Sequence, residues 1–92
     1  MSVIRRHLWI TGRVQGVFFR QSTWQQAQKI GQLQGWVRNL RDGRVEVLVQ
    51  GPEASVQTLV DYCHHGPISA RVDHVEQHQE PVDGELGAFD IT

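Results

Sequence analysis

A single cysteine, Cys63, among 92 residues rules out an internal disulfide, and the reading that follows is a reducing, cytoplasmic setting. Proline is scarce, with three in the chain, against nine glycines, 39% hydrophobic and 21% charged residues. That balance excludes collagen-like, low-complexity and disordered classes. No apolar run approaches the roughly 20 residues of a membrane helix. The opening Met-Ser-Val-Ile-Arg-Arg-His also lacks the apolar stretch of a signal peptide, so no membrane association is expected. A chain this short holds one domain, residues 1–92, with a small core.

Acids are nearly missing from the first half. Residues 1–44 carry eight Lys/Arg and only Asp42, a net +7, whereas residues 45–92 carry Arg71 against nine acids, a net −8. Two readings are open: the first half meets an anion, or the halves interleave and their charges pair on the surface. The total of −1 argues against broad nucleic-acid binding.

Hydrophobic alternation over His7–Thr11 predicts a strand, and Trp24, Ala27 and Ile30 at helical spacing predict a helix from Gln21 to Ile30, ending near Gly31. Gly35–Leu40 alternates again, with Val37 and Asn39 on one face. Asp42-Gly43 is a turn signal, and Arg44–Gln50 places Val45, Val47 and Val49 on one face, completing a hairpin. Gly51-Pro52-Glu53 opens a second helix with a stripe of Val56, Leu59, Val60 and Cys63. His64 and His65 fall in its last turn, and Gly66-Pro67 stops it. Arg71–Gln77 is a weaker strand whose Val72 and Val75 are out of phase, which predicts a bulge. A polar loop with Pro81 and Gly84 leads to a short final strand at Ala88–Ile91. The order predicts an α+β, ferredoxin-like split βαβ sandwich: βαββαβ plus a short C-terminal strand, with two helices on one face of an antiparallel sheet. Unrelated functions occur on that fold, so function must be read from a site.

The chemically informative stretch is Ile10-Thr11-Gly12-Arg13-Val14-Gln15-Gly16-Val17-Phe18-Phe19-Arg20. It joins a strand to a helix N-terminus, where unpaired N–H groups and the positive dipole end favour an anion. Gly12 and Gly16 would let successive N–H groups converge into a nest, and Arg20 adds a planar fork for two phosphate oxygens. The Lys-Ser/Thr pair of a Walker A loop is absent. An oxyanion cradle and a plain strand-to-helix turn both remain open on these residues alone.

The run from Ile10 to Arg20 resembles one signature of the acylphosphatases. Gly35-Trp36-Val37-Arg38-Asn39-Leu40-Arg41-Asp42-Gly43-Arg44-Val45, with Gly51 six residues on, resembles that family's other signature. Gly66-Pro67-Ile68-Ser69-Ala70-Arg71-Val72 and Phe89-Asp90-Ile91 match weaker family patterns, so the resemblance spans nearly the whole chain. It implies hydrolysis of acyl phosphates, the mixed anhydrides of carboxylic and phosphoric acids, with inorganic phosphate as product. By the same resemblance Arg20 grips the phosphate and Asn39 orients the attacking water. Loop groups of Gln15, Gly16, Val17, Phe18, Phe19 and Arg20 complete the cradle, with no metal and no cofactor. A monomer acting on a small molecule, with no nucleic-acid partner, is the expectation.

Two departures accompany the match. One residue more than the usual spacing lies between Gly31 and Gly35, around Gln32-Leu33-Gln34, and a slip of one along the strand would turn Asn39 to the other face. The expectation is that the helix-to-strand turn absorbs it. The chain ends at Thr92 without the basic or aromatic final residues common in relatives, so a terminal contact to Arg20 is not expected.

The remaining polar and aromatic residues read as structural. His74 and His78 share a strand face but lie about 13 Å apart along an extended chain, too far to share an ion. Cys63 lies on the apolar stripe of the second helix and reads as core. Trp24 and Phe19 are expected in the core, while Trp36 is open. A ferredoxin-like RNA-binding module would want the pattern Lys/Arg-Gly-Phe/Tyr-Gly/Ala-Phe-Val-x-Phe/Tyr, which does not occur. The same domain also serves as an N-terminal module of larger carbamoyl-transfer proteins, but the length here suits a free-standing enzyme.

Overall fold

In the computed structural model, which describes residues 2–84 and 86–92, strand β1 runs over Val3–Arg13. It is longer than its apolar alternation predicts because it is paired on both sides. β3 (Val45–Pro52) lies along Val3 to Ile10, and β4 (Arg71–Glu80) lies along Arg5 to Arg13, both antiparallel. Ladder bonds on both edges carry the strand through the polar Arg5 and Arg6.

The sheet order is β4-β1-β3-β2-β5, with β2 at Gln34–Asn39 and β5 at Asp90–Ile91. The first four strands form the expected antiparallel sheet. β5 departs from that expectation: it runs parallel to β2, pairing Trp36 with Asp90 and Val37 with Ile91, so the sheet is mixed at that edge. β4 ends at the end of the sheet where β2 begins, so a chain that crosses there enters beside β2 in the same direction. The crossing is pinned. Gln50 Nε2 donates to the Asp83 carbonyl at 2.6 Å, Asp83 N–H donates back to Gln50 Oε1 at 2.9 Å, and Gln34 Nε2 donates to the Leu86 carbonyl at 3.0 Å.

Helix α1 (Phe19–Ile30) starts two residues before the expected Gln21 and lies over β2 and β5. Helix α2 (Glu53–Cys63) lies over β1 and β3. Pro52 immediately precedes α2 rather than opening it, and His64 caps it, so both histidines fall outside the helix. One continuous core unites Ile4, Leu8, Ile10, Val37, Val45, Val47 and Val49 of the sheet with Phe19, Ala27, Val56, Leu59, Val60 and Cys63 of the helices. Alternation in the strands and the 3.6-residue stripes of the helices thus face one another. Trp24 packs against this core and is itself only partly buried.

The expected bulge is present. Thr11 pairs with His74 while Gly12 pairs with Val72, which leaves Asp73 as the extra residue and lets both Val72 and Val75 reach the core. Gly12 belongs to this bulge, correcting its assignment to a nest. A Cβ there would collide with the Arg71 carbonyl, so it remains a strand residue required for close approach. Between α1 and β2, Gly31 and Gln32 both take positive φ (77° and 64°). Along β2, Val37 lies opposite Val47 and Asn39 opposite Val45.

The charge halves interleave. Arg5 meets Glu80 at 3.8 Å and Arg38 Nε meets Glu46 at 2.6 Å, each pair joining the basic half to the acidic one. On the sheet face away from the helices, His7 places Nε2 2.6 Å from Glu46 and Nδ1 2.6 Å from Glu80. Its ring stacks on Trp9 at 3.9 Å and meets the edge of Trp36, over which the Arg38 guanidinium sits at 4.5 Å. This cluster answers the open question about Trp36, which belongs to the outer sheet face, and it buries Glu46.

Candidate active site

The segment between β1 and α1 leaves its main chain unusually free. Gly16 has φ 73° and Phe18 has φ 63°, ψ 19°, so two left-handed residues alternate within one short bend. Left-handed backbone suits glycine, but a phenylalanine held there carries about 1–3 kcal/mol of strain, a feature concentrated at working sites. Among the described residues, no N–H from Gln15 to Arg20 donates to a main-chain acceptor. Phe18 caps α1 without a side-chain bond, and the first turn of the helix holds no acid. The N-terminal N–H groups and the positive dipole end therefore lack the usual internal partners.

A cleft of about 310 Å³ opens at this point, lined by Val14, Gly16, Phe18, Phe19, Arg20, Gln21, Asn39 and Ile91. Of the residues singled out from sequence, Gly16, Phe18, Phe19, Arg20 and Asn39 meet here. Arg20 comes from the first turn of α1 and Asn39 from the last position of β2.

Gln15 and Val17 do not line it. Gln15 turns its side chain to the β2–β3 turn, where Nε2 donates to the Leu40 carbonyl at 2.7 Å and the Arg44 carbonyl at 2.9 Å. That pair of bonds fixes the distance between the loop and the end of β2. Val17 is buried, and its carbonyl accepts a hydrogen bond from Ser69 Oγ at 2.8 Å.

Three contributors were not singled out as site residues in the sequence. Gly66, expected to stop α2 and part of a weaker family pattern, packs so closely on the Phe19 ring that a Cβ would collide with it. Ser69 ties the α2–β4 connection to the loop. The chain end reaches the site as well: Arg20 Nη1 donates to the Thr92 main-chain oxygen at 3.0 Å, correcting the expectation of no terminal contact. Parallel pairing of β5 with β2, closed by Thr92 N–H donating to the Val37 carbonyl at 3.0 Å, brings it there. The unexpected strand direction was the missing signal.

The electrostatics are one-sided. Arg20 brings a full positive charge, and none of the eight lining residues is an acid or a histidine. Glu46 and Glu80, paired with Arg38, His7 and Arg5, lie instead on the outer sheet face. Cys63 is fully enclosed between the layers, and burial pushes its thiol up to about 12, so it is a core residue and no nucleophile. No group of three or more His, Cys, Asp or Glu able to hold a metal occurs among the described residues. No helix among them is long and apolar enough to cross a membrane.

The acylphosphatase family model matches residues 6–91. The chain belongs to the acylphosphatase family. It is 51% identical over 88 residues to an acylphosphatase of Anaeromyxobacter dehalogenans, covering 96% of this chain and 94% of that one. The crystal structure of acylphosphatase from Bacillus subtilis superposes with a TM-score of 0.90 at 34% identity, covering 97% of this chain and 98% of the other. An acylphosphatase from Coxiella burnetii also gives a TM-score of 0.90 at 34% identity, over 99% and 94% of the two chains. The enzyme thus hydrolyses acyl phosphates, releasing inorganic phosphate, on the ferredoxin-like fold its strand and helix order predicts.

Proposed function

We propose that Arg20 and the free N–H groups of the bend between Gly16 and Arg20 hold the phosphate, and that Asn39 positions the water that attacks it. One observation carries this reading: a guanidinium on α1 and a carboxamide on β2, 19 residues apart in sequence, share a cleft whose described lining residues include no acid or histidine. An acyl phosphate leaves as a carboxylate, a good leaving group, so positioning and charge stabilisation are the tasks that remain. The Asn39 carbonyl oxygen accepts a hydrogen bond from the water and directs its lone pair at phosphorus. The bond from phosphorus to the acyl oxygen breaks and its electron pair leaves on the carboxylate. The water proton passes to a phosphoryl oxygen of the substrate, which gives dihydrogen phosphate.

On this account neither a metal nor a protein base takes part. The enzyme works as a monomer on a small molecule, in the cytoplasm, with no nucleic-acid partner. Hydrolysis of benzoyl phosphate should show a kcat that is flat from about pH 6 to 8, because the described lining residues include no acid or histidine to serve as a base. A limb with a pKa near 7 would replace the substrate-assisted step with a base outside the cleft.

A further inference from the structure

We infer that Phe18 is the acyl-facing specificity residue, selecting acyl phosphates with an aromatic or extended apolar acyl group over acetyl phosphate. The inference rests on the reading above, in which Arg20 and the loop N–H groups hold the phosphate. Since that group is common to every substrate, discrimination must come from what meets the acyl portion. Of the apolar residues lining the cleft, Val14 and Phe19 are 1% exposed, committed to the core. Ile91 is half-buried on β5. Phe18 is 77% exposed, so its ring has almost all its surface available to a ligand.

Its backbone makes the exposure informative. The left-handed φ of 63° is a conformation that glycine or asparagine adopts with less strain, yet an aromatic residue stands there at the mouth of the cleft. Neither local folding nor the core uses that ring. A rigid aromatic face beside the phosphate site offers offset or edge-to-face packing to a planar acyl group, and almost nothing to a single methyl.

The test compares kcat/KM for benzoyl phosphate and acetyl phosphate in the wild type and in Phe18→Asn, which keeps the left-handed preference and removes the ring. The benzoyl-to-acetyl ratio should fall about tenfold. Phe18 also lends its N–H to the phosphate cradle, so any loss from a shift of the loop falls on both substrates alike and cancels in the ratio. Phe18→Leu, which keeps apolar bulk, should lower the ratio by about threefold and decides the matter if the asparagine variant does not fold. Ile68→Ser, at a fully exposed residue outside the cleft, should leave the ratio unchanged.

An unchanged ratio in both Phe18 variants would overturn the inference. So would an equal loss on both substrates, since the ring would then act on the loop alone. Failure of the underlying reading looks different: Arg20→Gln would retain phosphate inhibition whatever the acyl ratio does.

Discussion

Two arginine-bearing sites lie on opposite faces of this sheet and are built in opposite ways. On the outer face, Arg38 Nε reaches Glu46, Glu46 reaches His7, and His7 reaches Glu80, each at 2.6 Å. At the loop, among the described residues, Arg20 hydrogen-bonds to the Thr92 main-chain oxygen alone, and the N–H groups before it have no main-chain acceptor. The first arrangement pairs its charges with one another. The second leaves donors in place where an anion would fit. Unsatisfied polarity in a folded chain points to function more directly than an abundance of charge does.

Breaking the loop should have the largest effect. Losing a charge-assisted bidentate contact costs about 3–5 kcal/mol in a desolvated site, so Arg20→Gln should reduce kcat/KM by roughly a hundred- to several-thousand-fold in a benzoyl phosphate assay and abolish competition by phosphate. Asn39→Ala should lower kcat by about a hundredfold while inhibition by phosphate persists, since it would lose the water's orientation and not the cradle.

A smaller effect is expected from the support behind the loop. Gly66→Ala would drive a Cβ into the Phe19 ring at a φ of 69°, and should lower stability by about 1–3 kcal/mol in urea unfolding, with a parallel loss of turnover.

Breaking the outer face should change stability and leave chemistry alone. Burial works to raise the Glu46 carboxyl, but hydrogen bonds from Arg38 and His7 outweigh it and hold the group below its ordinary 4.5. A depressed carboxylate contributes stability that is present above the unfolded value and lost as pH falls through the folded one. Glu46→Gln should therefore cost about 1–2 kcal/mol at neutral pH and flatten the acid side of the stability–pH curve, with kcat within about twofold of wild type. Smallest of all, a chelator should leave turnover unchanged; a loss reversed by adding a divalent cation would contradict the metal-free account.

The two faces also differed in how far they could be read from the sequence. Strand alternation, the two helical stripes, the Asp42-Gly43 turn and the out-of-phase valines at 72 and 75 are local patterns, and each produced the structure it predicts. Arg20 and Asn39, which share one cleft, were singled out through resemblance of two short runs to family signatures.

What escaped notice depended on distant pairing. The direction of β5 is set by where β4 ends, and with it comes the Thr92 contact to Arg20. Gly12 looked like a loop residue because a bulge partner 60 residues away is invisible in local sequence. The Gln15 amide likewise reads as part of the loop until the β2–β3 turn arrives beside it. The outer-face cluster was missed because His7, Glu46 and Glu80 come from three strands.

Titration calorimetry of inorganic phosphate into the wild type, Arg20→Gln and Asn39→Ala separates holding from positioning without any turnover. The account predicts binding to the wild type and, with similar affinity, to Asn39→Ala, with none detectable in Arg20→Gln. Binding that survives the loss of Arg20, or that vanishes with Asn39, would contradict it.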